Sequence, residues 1–193
     1  MTEPVKKLFI FAAVFAVAAV IIFFIAPKPL VDDHRAELLP EANTNDPAVA
    51  ETLREIDRLK ALLKTQPDNI EHLIQIGNLY FDISRPNESI EFYEKALAID
   101  PRNPFVLTDC AVMYSHLGRF DRSIGYLDSA LAIKPDLPQA YFNKGAIFLM
   151  GLGQTDSAVS AWTEYLKVAP DSIQANIVRR QIEDIKNGRM PRF

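Results

Sequence analysis

Pro67, Pro101, Pro135 and Pro170 are spaced 34, 34 and 35 positions apart. A fixed period of this size constrains the fold more tightly than composition does. Each unit is too small to bury its own apolar face, so successive copies must stack into an array. Four further classes of position keep the same register. Gly77, Ala111 and Gly145 are small, and Tyr80, Tyr114 and Phe148 follow them. Ala96 and Ala130 precede the later prolines, with Tyr165 in their place once a single inserted residue in the third unit is counted. Tyr93, Leu127 and Trp162 come shortly before those.

Inside each unit, apolar residues recur twice at helical spacing, with a break between the runs. The first unit reads EHLIQIGNLYFDI, a break at RPN, then ESIEFYEKALAI. The second reads FVLTDCAVMYSHL, a turn at Gly118, then DRSIGYLDSALAI. The third reads QAYFNKGAIFLM, a turn holding Gly151 and Gly153, then DSAVSAWTEYLKV. Each unit is therefore expected to be a helical hairpin. Asn103 before Pro104 is a cap residue followed by a first-turn proline. Asp121 and Asp156 are expected to cap the second helices of their units. Gly77, Ala111 and Gly145 are expected to leave room for close approach opposite Ser89, Ser123 and Ala158.

Two partial elements flank the repeats. Residues 48–65, within a segment 48–69, place Leu53, Ile56, Leu59, Leu62 and Leu63 on one side and end at QPDN, as the units end at DPRN and KPDL. This reads as a lone second helix capping the array. Residues 172–187, within the C-terminal segment 172–193, carry Ile173, Ile177, Ile182 and Ile185, with Gly188 as a stop. The expected domain is all-α, a solenoid of eight helices without a sheet.

The register and its residue classes resemble the tetratricopeptide repeat, over residues 70–103, 104–137 and 138–171. Leu73 and Leu107 stand where that repeat often has tryptophan, Tyr141 is closer to it, and Ser84 and Pro86 alter the first turn. The resemblance implies a concave groove lined by first helices, which binds a protein or peptide segment. Its lining would be Ile74, Asn78 and Phe81 from the first unit; Phe105, Thr108, Val112 and His116 from the second; and Phe142, Ala146, Leu149 and Met150 from the third. Phe81, Phe105 and Phe142 would be the aromatic anchors. Chaperone-binding members of the family clamp a terminal carboxylate with lysine, arginine and asparagine. Here only Asn78 matches, and Ile74 replaces the expected lysine, which disfavours that ligand. The chain is also similar to anchored repeat domains of envelope complexes and to those of c-type cytochrome assembly factors.

Residues 8–26, LFIFAAVFAVAAVIIFFIA, run without a charge or proline. At about 1.5 Å per residue they nearly match a hydrocarbon core of about 30 Å, and lipid demands a helix of them. Lys6 and Lys7, within the short segment 1–7, favour a cytoplasmic N-terminus and a C-terminal domain in the periplasm of a bacterium. A cleaved signal is the rival, disfavoured by the long apolar run and by bulky Phe24 before Ala26 and Pro27. Ala12, Ala16 and Ala19 read as filler on a lipid-facing helix. Residues 27–47, with Pro27, Pro29, Pro40 and Pro47, read as a tether.

The remaining chemistry is sparse. A formal net charge of −4 argues against nucleic acid. The single cysteine, Cys110, excludes an intrachain disulfide and lies on an inward stripe. His34, His72 and His116 are scattered, with no partner at ligand spacing, so no metal site is expected. GLG at 151–153 has neither the strand nor the lysine of a phosphate loop. Asn87-Glu88-Ser89 matches a glycosylation sequon, a weak signal. Arg179, Arg180, Lys186, Arg189 and Arg192 form a basic end diluted by Glu183 and Asp184. The reading is a non-enzymatic scaffold without cofactors. The alternative is a structural component whose groove binds further copies of itself.

Overall fold

The computed structural model describes residues 46–189. The expected membrane segment 8–26, the N-terminus 1–7, residues 27–45 of the tether, His34 and Arg192 lie outside the described residues. The last two tether residues open the first helix. The described residues form eight helices: α1 (Pro47–Leu63), α2 (Ile70–Asp82), α3 (Pro86–Ile99), α4 (Pro104–His116), α5 (Phe120–Ile133), α6 (Pro138–Ala146), α7 (Thr155–Val168) and α8 (Ile173–Lys186). The α6 helix continues as a wider π turn over Ile147–Gly151. No helix among the described residues is long and apolar enough to cross a membrane.

Four of the eight helices start on a capping side chain. Asp46, Asn69, Asn103 and Ser172 cap α1, α2, α4 and α8 by accepting from backbone N–H groups of the first turn. The second helices of the three hairpins, α3, α5 and α7, have no such cap, and neither does α6, which starts after Leu137. Asp121 and Asp156 sit inside the first turns of α5 and α7, where they face the positive end of the helix dipole. The cap positions are Arg119 and Gln154, neither of which caps through its side chain. Arg119 N–H closes α4 by donating to the Tyr114 carbonyl (2.9 Å), while its own carbonyl accepts from Ser123 N–H (3.1 Å) and opens α5. One backbone unit ends one helix and starts the next, and the Arg119 and Gln154 side chains leave the first-turn N–H groups uncapped.

Arg85 does the same between α2 and α3, bonding to Tyr80 at 2.9 Å, and Ser84 N–H reaches the Phe81 carbonyl at 3.0 Å. This pair of bonds requires a left-handed residue after the helix. Ser84 (φ 56°), Gly118 (70°), Gly153 (66°) and Gly188 (68°) hold those places. Gly188 thus ends α8 in the register of a first helix, and α8 is the first half of a further unit.

The third unit absorbs its inserted residue in the π turn. Gln154 N–H donates to the Phe148 carbonyl at 2.7 Å, the pair equivalent to Arg119 and Tyr114 with one more residue between them. Widening the helix for one turn keeps both flanking helices in phase.

The hairpins close around small residues, though the partner is more specific than sequence spacing indicates. A Cβ on Gly77 would lie 2.5 Å from Cε1 of the Tyr93 ring, and one on Gly145 would strike the indole of Trp162. In the middle unit Ala111 faces buried Leu127 at the equivalent position. Ser89 and Ser123 instead donate to the carbonyls of Gly77 (2.9 Å) and Ala111 (2.6 Å), satisfying buried hydroxyls across each hairpin. Ile56 and Leu59 of α1 are almost fully buried and extend the core, one repeat period before Ile90 and Tyr93. The α1 helix is a second helix without its first.

Candidate functional site

The first helices α2, α4 and α6 bring part of the expected groove together. A cavity of about 330 Å³ is lined by Val112 and His116 from α4 and by Ala146 and Met150 from the third unit. Phe120, Ile147 and Gly151 add to its wall, and Ser115 and Asn143 give it a polar part. A Cβ on Gly151 would lie 2.6 Å from the Phe120 ring, so glycine lets the π turn close down on that ring. Met150 is 62 % exposed and overhangs the cavity. Partial burial pushes the His116 imidazole below its ordinary value, so the neutral ring is favoured at neutral pH. Its ring lies 6.4 Å from that of Phe81, which joins the first unit to this wall.

A second cavity, of about 300 Å³, lies beside Asn78, Phe81 and Asp82 of α2 and Asp109 of α4, with Tyr93 at its base. Tyr93 donates its hydroxyl to Asn78 Oδ1 at 2.7 Å. Burial raises the Asp109 carboxyl above the usual carboxylate range. Among the described residues, two carboxylates and no cation line this cavity.

The other expected residues divide by environment. Phe105 is 59 % exposed. Phe142 is half-buried and meets Tyr165 edge-on at 5.9 Å, while Phe81 is half-buried against the core of the first unit. Of the three aromatic anchors, only Phe105 is exposed outside the packed core. Thr108 is buried and donates to the Pro104 carbonyl at 2.8 Å, so it offers a wall and no free hydroxyl. Ile74 and Leu149 are half-buried against the cores of their own units. Sequence reading passed over Phe120 because it opens a second helix. It also passed over Ile177 of α8, which is 37 % exposed one period after Phe142; the register itself could have found it.

The residues with intrinsic reactivity are elsewhere engaged. Cys110 is fully buried, and burial, with nearby Glu94, pushes its thiol up to about 12. A thiol held neutral in this way is no nucleophile. No group of three or more His, Cys, Asp or Glu side chains comes together to hold a metal among the described residues. Nδ1 of His72, in α2, is buried without a hydrogen-bond partner, which marks it as enclosed rather than solvated. At the basic end, Arg179 donates to the Pro170 carbonyl and Arg189 pairs with Asp184, both internal uses of the charge.

Comparison with known proteins agrees with this architecture. Residues 70–103 and 106–141 each match a family model described as a tetratricopeptide repeat. No curated protein sequence matches the chain. Among solved structures, MamA superposes with a TM-score of 0.65 at 22 % identity, over 78 % of this chain and 87 % of that one. The first tetratricopeptide domain of RPAP3, solved bound to the HSP90 peptide SRMEEVD, gives 0.56 at 26 % identity over 61 % and 93 %. The Yersinia enterocolitica type III secretion chaperone SycD, solved with a peptide of the translocator YopD, gives 0.59 at 14 % identity over 63 % and 95 %. Residues 46–189 thus form an all-α solenoid like that of tetratricopeptide repeats: three helical hairpins between two single helices.

Proposed function

We propose that this chain is a membrane-tethered, non-enzymatic scaffold that holds a segment of another protein along its first helices. The cavity between α4 and the third unit carries the reading. It gathers Val112, His116, Ala146 and Met150 into a mainly apolar recess of about 330 Å³ with Ser115 and Asn143 in its wall, large enough for a partner's aliphatic or aromatic side chain. The neighbouring cavity supplies Asp82 and Asp109, which repel a terminal carboxylate. The peptide in the RPAP3 structure ends in acidic residues. This groove lacks the cations such a ligand requires, so its partner presents an apolar segment without a cluster of negative charge.

Tethering rests on residues 8–26, and orientation on Lys6 and Lys7. Both favour repeats in the bacterial periplasm, beside the complexes assembled there. Within that setting the resemblance favours holding an apoprotein segment during assembly of an envelope or c-type cytochrome complex. The test combines topology and capture. A reporter active only across the membrane, fused after Phe193, is expected to be active. Full-length chain solubilised from membranes should capture a partner identifiable by mass spectrometry, and Phe105→Ala and Ala146→Glu should each abolish that capture while the helical signal persists. Capture that survives both substitutions removes the groove from the function, and activity of only a cytoplasmic reporter reverses the orientation.

A further inference from the structure

The lone helix α1 and the second helices of the first two units use one shared position to link to the unit that follows. Lys60 of α1 donates to the Tyr80 hydroxyl at 2.8 Å. Glu94 of α3, one period on, accepts from the hydroxyls of Tyr114 and Tyr126, the latter at 3.0 Å. Asp128 of α5, a further period on, pairs with Lys144 of α6. Beneath each link lies a ring from the first helix of the next unit: Tyr80, Tyr114 or Phe148. In the first two units a second ring, from the second helix, stacks on it. Tyr80 and Phe92 are 5.9 Å apart at 29°, and Tyr114 and Tyr126 are 5.2 Å apart at 21°.

The third unit keeps the first ring and lacks the second. Lys144 Nζ stands 5.8 Å from the Phe148 centroid, as Lys60 Nζ stands 5.2 Å from that of Tyr80. The position of Phe92 and Tyr126 is held by Ala161. A cavity of about 470 Å³ opens there, lined by Tyr141, Lys144, Phe148, Asp156, Ala161 and Glu164 among others. It lies on the opposite side of α6 from Phe142 and Ala146 and shares no residue with the groove cavity.

We propose that this cavity is a second docking site, which takes an aromatic side chain of a partner protein flanked by a basic residue. The ring is specified by the other two units, where the chain itself places an aromatic against the equivalent first-helix ring. Offset stacking on Phe148 with a cation close by reproduces the arrangement already formed at Tyr80 and Tyr114. The basic neighbour follows from charge. Lys144 and Glu164 are already paired, with Asp128 and Lys167, which leaves Asp156 as the lining charge without an ion-pair partner among the described residues and gives the mouth a net negative charge. The site is separate from the groove, so the two could grip one partner at two points or hold two partners together.

The test uses the full-length chain in detergent and fluorescein-labelled heptapeptides. One is Gly-Ser-Arg-Tyr-Arg-Ser-Gly, a second has alanine for tyrosine, and a third has glutamate for both arginines. By anisotropy, the tyrosine peptide should bind on the order of tenfold more tightly than the alanine peptide, and the glutamate peptide should lose most of that affinity. Ala161→Phe fills the cavity with the chain's own ring. It should erase the preference for tyrosine while holding or raising the melting temperature. Phe105→Ala and Met150→Ala, in the groove, should leave the preference intact, which separates failure here from failure of the groove reading. Phe148→Ala removes the stacking platform and gives the same readout if Ala161→Phe does not fold. Equal binding of the tyrosine and alanine peptides overturns the proposal. So does a preference that persists in either cavity variant, and undiminished binding of the glutamate peptide overturns the charge requirement.

Discussion

The contact of Gly77 with Tyr93 can be tested by a double-mutant cycle whose sign changes with background. In isolation, Gly77→Ala inside α2 gains helix propensity of about 1 kcal/mol. In this hairpin the added methyl would stand 2.5 and 2.6 Å from Cε1 and Cδ1 of Tyr93, against an ordinary carbon contact of about 3.5–4.0 Å. The ring must move by about 1 Å, and it is 1 % exposed with its hydroxyl held by Asn78. Overpacking of this kind costs about 1–3 kcal/mol, so Gly77→Ala should destabilise the chain by up to about 2 kcal/mol, and Gly77→Leu by more. Tyr93→Leu copies the middle unit, where Ala111 faces Leu127. In that background the clash is gone, and Gly77→Ala should stabilise by about 1 kcal/mol. The coupling, about 1–3 kcal/mol, is the overpacking energy itself. Urea denaturation followed by circular dichroism is the suitable assay, because Trp162 fluorescence reports the third unit and repeat arrays can unfold from one end. If Gly77→Ala stabilises equally in both backgrounds, the ring does not lie against Gly77 and the account of the hairpin is wrong.

Three further outcomes follow from single residues. Ser84→Gly should raise stability by about 1 kcal/mol, because Ser84 holds a left-handed backbone at φ 56° where the next two turns use glycine; no gain in the urea midpoint would place the strain elsewhere. Phe142→Ala should lower the melting temperature more than Phe105→Ala, because Phe142 packs on Tyr165 whereas Phe105 is 59 % exposed; equal losses would contradict those environments. Burial raises Asp109 above its unfolded value, so its carboxylate costs stability at neutral pH and the cost fades as pH falls through the folded value. Asp109→Asn should therefore raise the melting temperature at pH near 7 and lose that advantage below roughly pH 4, and an advantage independent of pH would refute the assignment.

The repeat architecture was legible because five residue classes share one register, and each class has a packing role that only an array satisfies. Even the lone helices could be placed. Leu59 falls one period before Tyr93 and is buried as Tyr93 is, and Gly188 ends α8 with the same left-handed turn as Gly118 ends α4. The second helices begin earlier than the aspartates suggest: Asp121 and Asp156 fall two residues past the cap positions, inside the first turn, where a carboxylate meets the helix dipole without capping. The expected α1 and α8 boundaries differ from the observed ones by one or two residues for a related reason. Pro47 starts a helix without needing its own N–H, and α1 ends at Leu63, where Thr65 and Gln66 turn back to Leu62.

The site was less legible, since a register identifies which residues share a face but not how far that face is filled. Phe81, Phe105 and Phe142 looked alike in sequence, as aromatics on three successive first helices. Their surroundings are set by side chains on other helices: His116 beside Phe81, Tyr165 beside Phe142, and open solvent over most of Phe105. The same dependence produces the cavity at Ala161. Nothing in the local sequence of α7 marks that alanine as unusual, because small residues are common in helices. It acquires meaning only beside Phe92 and Tyr126, and only once the stack those rings form on Tyr80 and Tyr114 is seen. In a repeat protein the units serve as controls for one another: where two agree in geometry and the third departs, the departure is a local choice that packing of the repeat did not require.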